Sequence, residues 1–233
     1  MTAVRVLCRF LEDSGYCAGL SRAVPTRFSR RVNSAVVLPP DRIEELTNSP
    51  DVSKPAGRRD RALLLLAART GLRPVDMVGL RLSDIDWKQG QIALTQHKTG
   101  TVLTLPLLAD VGEAIADYLL HGRPAGVADD HVFLRAQAPH VGLSPSHSLY
   151  HVASYAFART ETAAPNGNGR GFRVLRASFA TRMLEGGTPL PVISGALGHR
   201  GIDSAKHYLA ADERRMRECC LDFAGIEPRC ARS

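Results

Sequence analysis

Six side chains in this sequence have types and an order that suit attack on a phosphodiester. Leu197-Gly198-His199 is followed nine residues after the histidine by Tyr208. Arg73 stands in Thr70-Gly71-Leu72-Arg73, Arg176 in Leu175-Arg176 with Arg173 three residues earlier, and Lys98 lies between them in Gln96-His97-Lys98-Thr99-Gly100. A phenol can attack phosphorus and store the bond energy as a phosphotyrosine. Two guanidiniums can clamp the non-bridging oxygens bidentately, where an ammonium would be only a point charge. A lysine on a mobile turn can protonate a departing 5′ oxygen, and an imidazole nearby can hydrogen-bond or shuttle a proton. Taken singly each residue has a plainer reading: a helix-end arginine, a turn lysine, a capping histidine, a half-buried tyrosine among five. Joint order and spacing are what single them out.

These groups need elements to hold them. The apolar run Ala62–Ala68 predicts a helix over Arg58–Thr70, buried on most sides, with Gly71 as its left-handed C-cap. Pro74 is suited to restart a helix that runs to about Leu80, and Asp41–Leu46 reads as a short helix behind Pro39-Pro40. Gln91–Thr95 and Val102–Leu105 are short β-branched segments around a loop with Gly100, which puts Lys98 in the turn of a small sheet. Val111, Ile115, Tyr118 and Leu119 mark an amphipathic helix. Further helices are expected at Ser148–Arg159, Arg173–Glu185, Leu190–Leu197 and Ser204–Phe223, with a flexible loop at 165–171. The fold class is mainly α with a small antiparallel β-sheet (α+β).

At the N-terminus, Val4, Leu7, Cys8 and Leu11 have helical spacing. Residues 21–40 carry Pro25, Pro39, Pro40 and four arginines, reading as a basic linker with a boundary near residue 35. Composition narrows the function classes. The 233 residues carry a formal charge of +7 and a pI of about 9.5, which suits a polyanionic partner. No apolar run reaches the roughly 18 residues of a membrane span, and no signal peptide opens the chain, so a cytoplasmic location is expected. The five cysteines show no C-x-x-C spacing, against a disulfide framework or a structural zinc. His147 and His151 are four apart but lack the glutamate of a zinc-protease motif. The Met216, Cys219, Cys220 and Phe223 stripe reads as ordinary packing. No nucleophile elbow or phosphate-binding loop occurs.

The motifs Thr70–Asp76, Leu80–Asp86, Leu175-Arg176, Ala180–Leu184 and Leu197-Gly198-His199, with the step to Tyr208, resemble the tyrosine recombinase (phage integrase) catalytic domain. The resemblance runs from about Pro39 to Ala224. Gly112–Arg123 and Val132–Arg135 are similar to the integrases of transposons and insertion elements. It implies that Arg73 and Arg176 bind the phosphate, that Lys98 is the hairpin general acid, that His199 is the last imidazole of the site, and that Tyr208 is the nucleophile. Asp76 matches an acidic residue that orients the site or its helix. The implied partner is double-stranded DNA, with self-association on it, and no cofactor or metal is implied.

Three departures accompany the likeness. Arg173 stands where the family carries histidine or lysine, which keeps charge but not an exchangeable proton near neutral pH. Ala177 replaces a common histidine. Only about 35 residues precede the match, so residues 1–35 are expected to be a remnant of the N-terminal core-binding domain plus linker, and 36–233 the catalytic domain. The expected activity is site-specific recombination or integration through a 3′-phosphotyrosyl intermediate. The alternatives are a truncated, catalytically impaired DNA-binding or integrase-partner protein, and a relaxing activity like that of type IB topoisomerases.

Overall fold

A computed structural model describes residues 2–19, 36–144, 147–160 and 171–198, in two compact units, Met1–Asn33 and Ser34–Ser233. Within the first, helix α1 (Thr2–Asp13) has the spacing read from Val4, Leu7, Cys8 and Leu11, and Val4, Val6, Leu7 and Phe10 are exposed.

The second unit is organised around one helix. Helix α2 (Pro40–Asn48) starts with Pro40 in the first turn, where the missing N–H costs nothing, and buries Ile43 and Leu46. Helix α3 (Pro55–Thr70) buries every residue from Ala62 to Ala68. It packs against α2, and against α5 (Ala109–His121) and α7 (Phe172–Glu185). Burial on all sides is what its unbroken apolar run predicts. The helix starts three residues before the expected Arg58. Pro55-Ala56-Gly57 looks like a break, yet the proline is at N1. A Cβ on Gly57 would lie 1.9 Å from the Asp51 carbonyl oxygen, so this glycine admits the neighbouring turn. Arg69 Nε donates to Asp110 Oδ2 at 2.6 Å and Arg58 pairs with Asp117, which ties α3 to α5 along its length.

Helix α4 (Pro74–Val78) and a 3-10 turn (Leu82–Asp84) lead into the sheet. Strands β1 (Ile85–Asp86), β2 (Gln91–Thr95) and β3 (Val102–Pro106) form an antiparallel sheet in that order, with Ile92 opposite Leu105 and Leu94 opposite Leu103. Both long strands alternate exposed and buried residues, the mark of a sheet with one solvated face. The two-residue β1 was not expected, since a segment that short has no period to read. Helices α6 (His147–Arg159) and α8 (Leu190–Ala196) complete the described elements. The outcome is the mainly helical architecture with a small antiparallel sheet expected from the sequence. The expected helix at 204–223 and the loop at 165–170 lie outside the described residues.

Two packing links fix α7. Ala180 and Leu184 form an apolar cluster with Ile193 and Leu197. On another side, fully buried Ser178 accepts the Leu38 N–H at 2.8 Å and donates to the Val174 carbonyl at 2.8 Å. Ser178→Ala leaves that buried N–H unpaired, a loss of about 1–3 kcal/mol. Thermal denaturation should show a midpoint lowered by about 2–4 °C for each kcal/mol in a unit this size. An unchanged midpoint would mean that the amide finds another acceptor.

Candidate active site

Four chain segments, far apart in sequence, meet beyond the C-terminal end of α3. The first is the Thr70–Arg73 corner. Gly71 adopts a left-handed conformation (φ +63°) and its N–H caps the Ala67 carbonyl at 2.9 Å. A Cβ there would sit 2.6 Å from the Phe179 ring and 2.9 Å from Leu197, so both backbone and space require glycine. The corner releases Arg73 as the N-cap residue of α4. The second segment is α7, which carries Arg176 on a largely buried helix. The third is the β2–β3 turn, and the fourth the end of α8 at Leu197-Gly198.

The guanidiniums of Arg73 and Arg176 converge on two consecutive carbonyls. Arg176 Nη2 donates to the Leu197 oxygen at 2.9 Å, and Arg73 Nη2 to the Gly198 oxygen at 3.2 Å. Arg176 Nη1 also reaches back to the Gly71 oxygen at 2.5 Å, which closes the loop between α7 and the α3 corner. Arg176 is 9% exposed, whereas the Arg73 side chain is 17% exposed. Carbonyls hold both planes by part of their five donors and fix their tilt. Such a pre-oriented pair suits a tetrahedral or trigonal-bipyramidal phosphate with several anionic oxygens.

Lys98 is exposed in the turn between β2 and β3. The turn is closed by Gln96 N–H to the Thr101 oxygen (2.9 Å) and Gly100 N–H to the Gln96 oxygen (2.8 Å). Two buried side chains anchor it. Asp76 Oδ1 accepts the His97 N–H at 2.9 Å, and its Oδ2 lies 3.7 Å from Arg73 Nη1. Gln96, 1% exposed, accepts from Arg73 Nη1 at 2.9 Å and from Thr99 Oγ1 at 2.8 Å, and donates to the Leu197 oxygen at 3.3 Å. Asp76 therefore ties the first arginine's helix to the hairpin, in keeping with an orienting part. Arg173 is exposed in the first turn of α7. His199 and Tyr208 lie outside the described residues.

Gln96 and Arg182 were not singled out by sequence reasoning. Arg182 Nη2 donates to the Ala68 oxygen at 2.8 Å, satisfying a last-turn carbonyl of α3. Burial, then the nearby Arg69 charge, lowers its pKa. Its position in Ala180–Leu184 was a signal of placement only. Gln96 offered none, since an amide at a strand end looks like any polar loop residue.

Two other groups could be taken for sites. Asp129, Asp130 and His131 gather potential metal-binding atoms. Yet Asp129 accepts the His131 N–H at 2.9 Å, the His131 ring Nδ1 lies 2.5 Å from it, and the Gly142 N–H donates to it at 2.9 Å. The His131 contacts, backbone N–H first, hold its carboxyl down at about 2, and Asp130 pairs with Arg81. These contacts make it a clamp on the 129–142 loop. His151, half of the histidine pair weighed for metal, lies edge-on to the Tyr150 ring and stacks with Tyr155. The His147 side chain lies outside the described residues.

Comparison with known proteins gives the same outline. The family model described as "Phage integrase family" matches residues 36–215. The protein y4rA of Sinorhizobium fredii, whose name reads integrase/recombinase, is 39% identical over 185 residues, covering 79% of this chain and 44% of its own length. Tyrosine recombinase XerD of Mycobacterium tuberculosis is 30% identical over 239 residues, covering 98% of this chain and 73% of its own. In structure, the chain is similar to the XerH site-specific recombinase, crystallised on a palindromic difH substrate in a post-cleavage complex. There the TM-score is 0.69 with 19% identity, over 88% of this chain and 55% of that one. This chain thus spans less than half the length of y4rA. Among the described residues no helix is long and apolar enough to cross a membrane.

Proposed function

This chain belongs to the phage integrase family, and we propose that it cuts and rejoins double-stranded DNA as a site-specific recombinase or integrase, with Tyr208 as nucleophile. The Tyr208 oxygen attacks the scissile phosphorus, its bond to phosphorus forms, and the bond from phosphorus to the 5′ oxygen breaks. Lys98 gives a proton to the departing 5′ oxygen and the His199 imidazole takes the phenolic proton. Arg73 and Arg176 hold the non-bridging oxygens as charge gathers on them. A 5′ hydroxyl, from the same strand or a partner strand, reverses the step, so the reaction as written uses no metal or nucleotide. The reading carries with it self-association on DNA, which strand exchange needs, and a cytoplasmic location.

The observation that carries the proposal is the meeting of Arg73 and Arg176 on the Leu197 and Gly198 carbonyls, directly before His199 in the chain. The Lys98 hairpin is held to the same cluster through Gln96. Non-catalytic DNA holding is the second reading, favoured by Arg173. Its guanidinium is exposed, and it adds charge without a titratable proton near neutral pH.

One experiment separates the two. The full chain is incubated with a pool of short randomised duplexes, each nicked so that a cleaved end diffuses away. Covalent adducts are isolated under denaturing conditions, the DNA sequenced and the protein peptide mapped by mass. An adduct at Tyr208, absent from Tyr208→Phe, is the expected result. DNA retained in a salt-dependent way with no adduct, even for Arg173→His, would sink the recombinase reading in favour of the holding one.

A further inference from the structure

We infer that Gln96 is a positioning residue that keeps the Lys98 hairpin in register with the two arginines. The inference rests on the reading of Lys98 as general acid. A lysine on an exposed turn has the rotamer freedom to miss its target, and an ångström of misplacement costs about a hundredfold in rate. The chain restrains this turn from beneath. The side chain of Gln96 is almost fully buried and its three hydrogen bonds go to three different parts of the site. Its oxygen takes Thr99 Oγ1, one residue after Lys98, and Arg73 Nη1. Its nitrogen donates to the Leu197 oxygen, the same atom that accepts Arg176 Nη2.

One amide thus spans 101 residues to the Leu197 oxygen and links the acid's turn to both guanidiniums. The fit around it is close. A Cβ on Gly198 would lie 2.0 Å from Gln96 Oε1 and 2.1 Å from Nε2, so the amide occupies this place only because residue 198 has no side chain. Glutamate at 96 would accept as well as glutamine but has no donor for Leu197. Asparagine is a methylene short. The arrangement asks for an amide of this length, and not for polarity alone.

The role is tested by comparing two leaving groups. A nicked duplex recovered from the randomised pool is made in two forms, one ordinary and one with sulfur in place of the bridging 5′ oxygen at the scissile phosphate. In the sulfur form the phosphorus–sulfur bond breaks and a thiolate departs. With a thiol pKa near 8.5, it needs no proton from lysine. Single-turnover adduct formation is measured for wild type, Lys98→Ala, Gln96→Ala and Thr99→Val. The last variant cuts the hairpin end of the link at a partly exposed site, along with the 3.5 Å contact that the Thr101 N–H makes to the same hydroxyl.

Gln96→Ala should slow cleavage of the oxygen substrate by about 10–100-fold, below the 10²–10⁴ of a lost general acid. With sulfur most of that loss should be recovered, the remainder reflecting the contact that Arg73 also loses. Thr99→Val, which leaves that contact in place, should recover fully from a smaller loss. Equal slowing on both substrates would overturn the inference, because a general loss of structure or of arginine alignment does not depend on the leaving group. No slowing on either would overturn it as well. If wild type forms no adduct with any duplex of the pool, or none with the recovered duplex in either form, the recombinase reading itself fails, and the positioning role falls with it. That case is told apart because the wild-type lane, not the variant, is blank.

Discussion

Arg176→Lys should lower adduct formation by about 10²–10³-fold while leaving a folded protein. Lysine keeps the positive charge and most of the length. What it lacks is a plane. Arg176 sends Nη1 to the Gly71 oxygen and Nη2 to the Leu197 oxygen, 2.5 and 2.9 Å away, and this double tether fixes the direction in which any further N–H points. A single ammonium reaches one of the two carbonyls and turns its remaining donors elsewhere. The Leu197 oxygen keeps the Gln96 donor, whereas a Gly71 oxygen left without Arg176 is buried and costs about 1–3 kcal/mol, visible as a lowered melting midpoint. The rate loss is much larger than this stability loss alone would produce at a temperature where the protein is still folded. Arg73→Lys makes the comparison sharper. Arg73 is more exposed, and its partners are one side-chain amide, the Gly198 oxygen and, at 3.7 Å, the buried Asp76 carboxylate, whose charge a lysine still meets. Its stability loss should be smaller and its rate loss similar. Rates are read by single-turnover cleavage and stability by thermal melting. Arg176→Lys cleaving within about tenfold of wild type would show that point charge suffices and that bidentate geometry does not matter here.

How far the site was readable from sequence follows from what each residue does. Arg73, Lys98 and Arg176 were legible because their chemistry and their neighbours form recognisable short motifs, and Gly71 because a glycine after a helical apolar run marks a left-handed cap, as found at φ +63°. The two long strands were legible from their β-branched texture. Gln96 was not. Its importance arises only when Leu197-Gly198 folds back against it, a contact between residues a hundred positions apart that no local pattern encodes. The start of α3 was misplaced for a related reason. Pro55-Ala56-Gly57 is a breaker by composition, and only the Asp51 backbone lying on Gly57 explains why the sequence needs glycine inside a helix. Local chemistry announces itself in a sequence, whereas close approaches between distant segments do not.

Gly198→Ala is expected to be the most damaging single methyl group that could be added to this site. Two separate penalties arise. The backbone sits at φ +61°, which costs a residue with a Cβ about 1–2 kcal/mol. The new carbon would also lie 2.0–2.2 Å from the Gln96 amide, and that amide cannot step aside without breaking its bonds to Arg73, Thr99 and Leu197. Together the loss should reach about 2–4 kcal/mol, seen as a midpoint lowered by about 5–15 °C, with cleavage falling as the hairpin and Arg73 lose their common anchor. The two penalties separate by substitution. Asparagine tolerates the left-handed region well but still carries a Cβ, so Gly198→Asn should remain strongly destabilised. In a Gln96→Ala background the three atoms nearest the new carbon are gone and the closest clash is relieved, so adding Gly198→Ala there should cost at least about 1 kcal/mol less than in the wild type. Its activity should not return, because the space is restored but the link is not. Equal costs of Gly198→Ala in the two backgrounds would show that the glycine serves the backbone alone, and the packed contact between the end of α8 and the hairpin would then have no part in holding the site together.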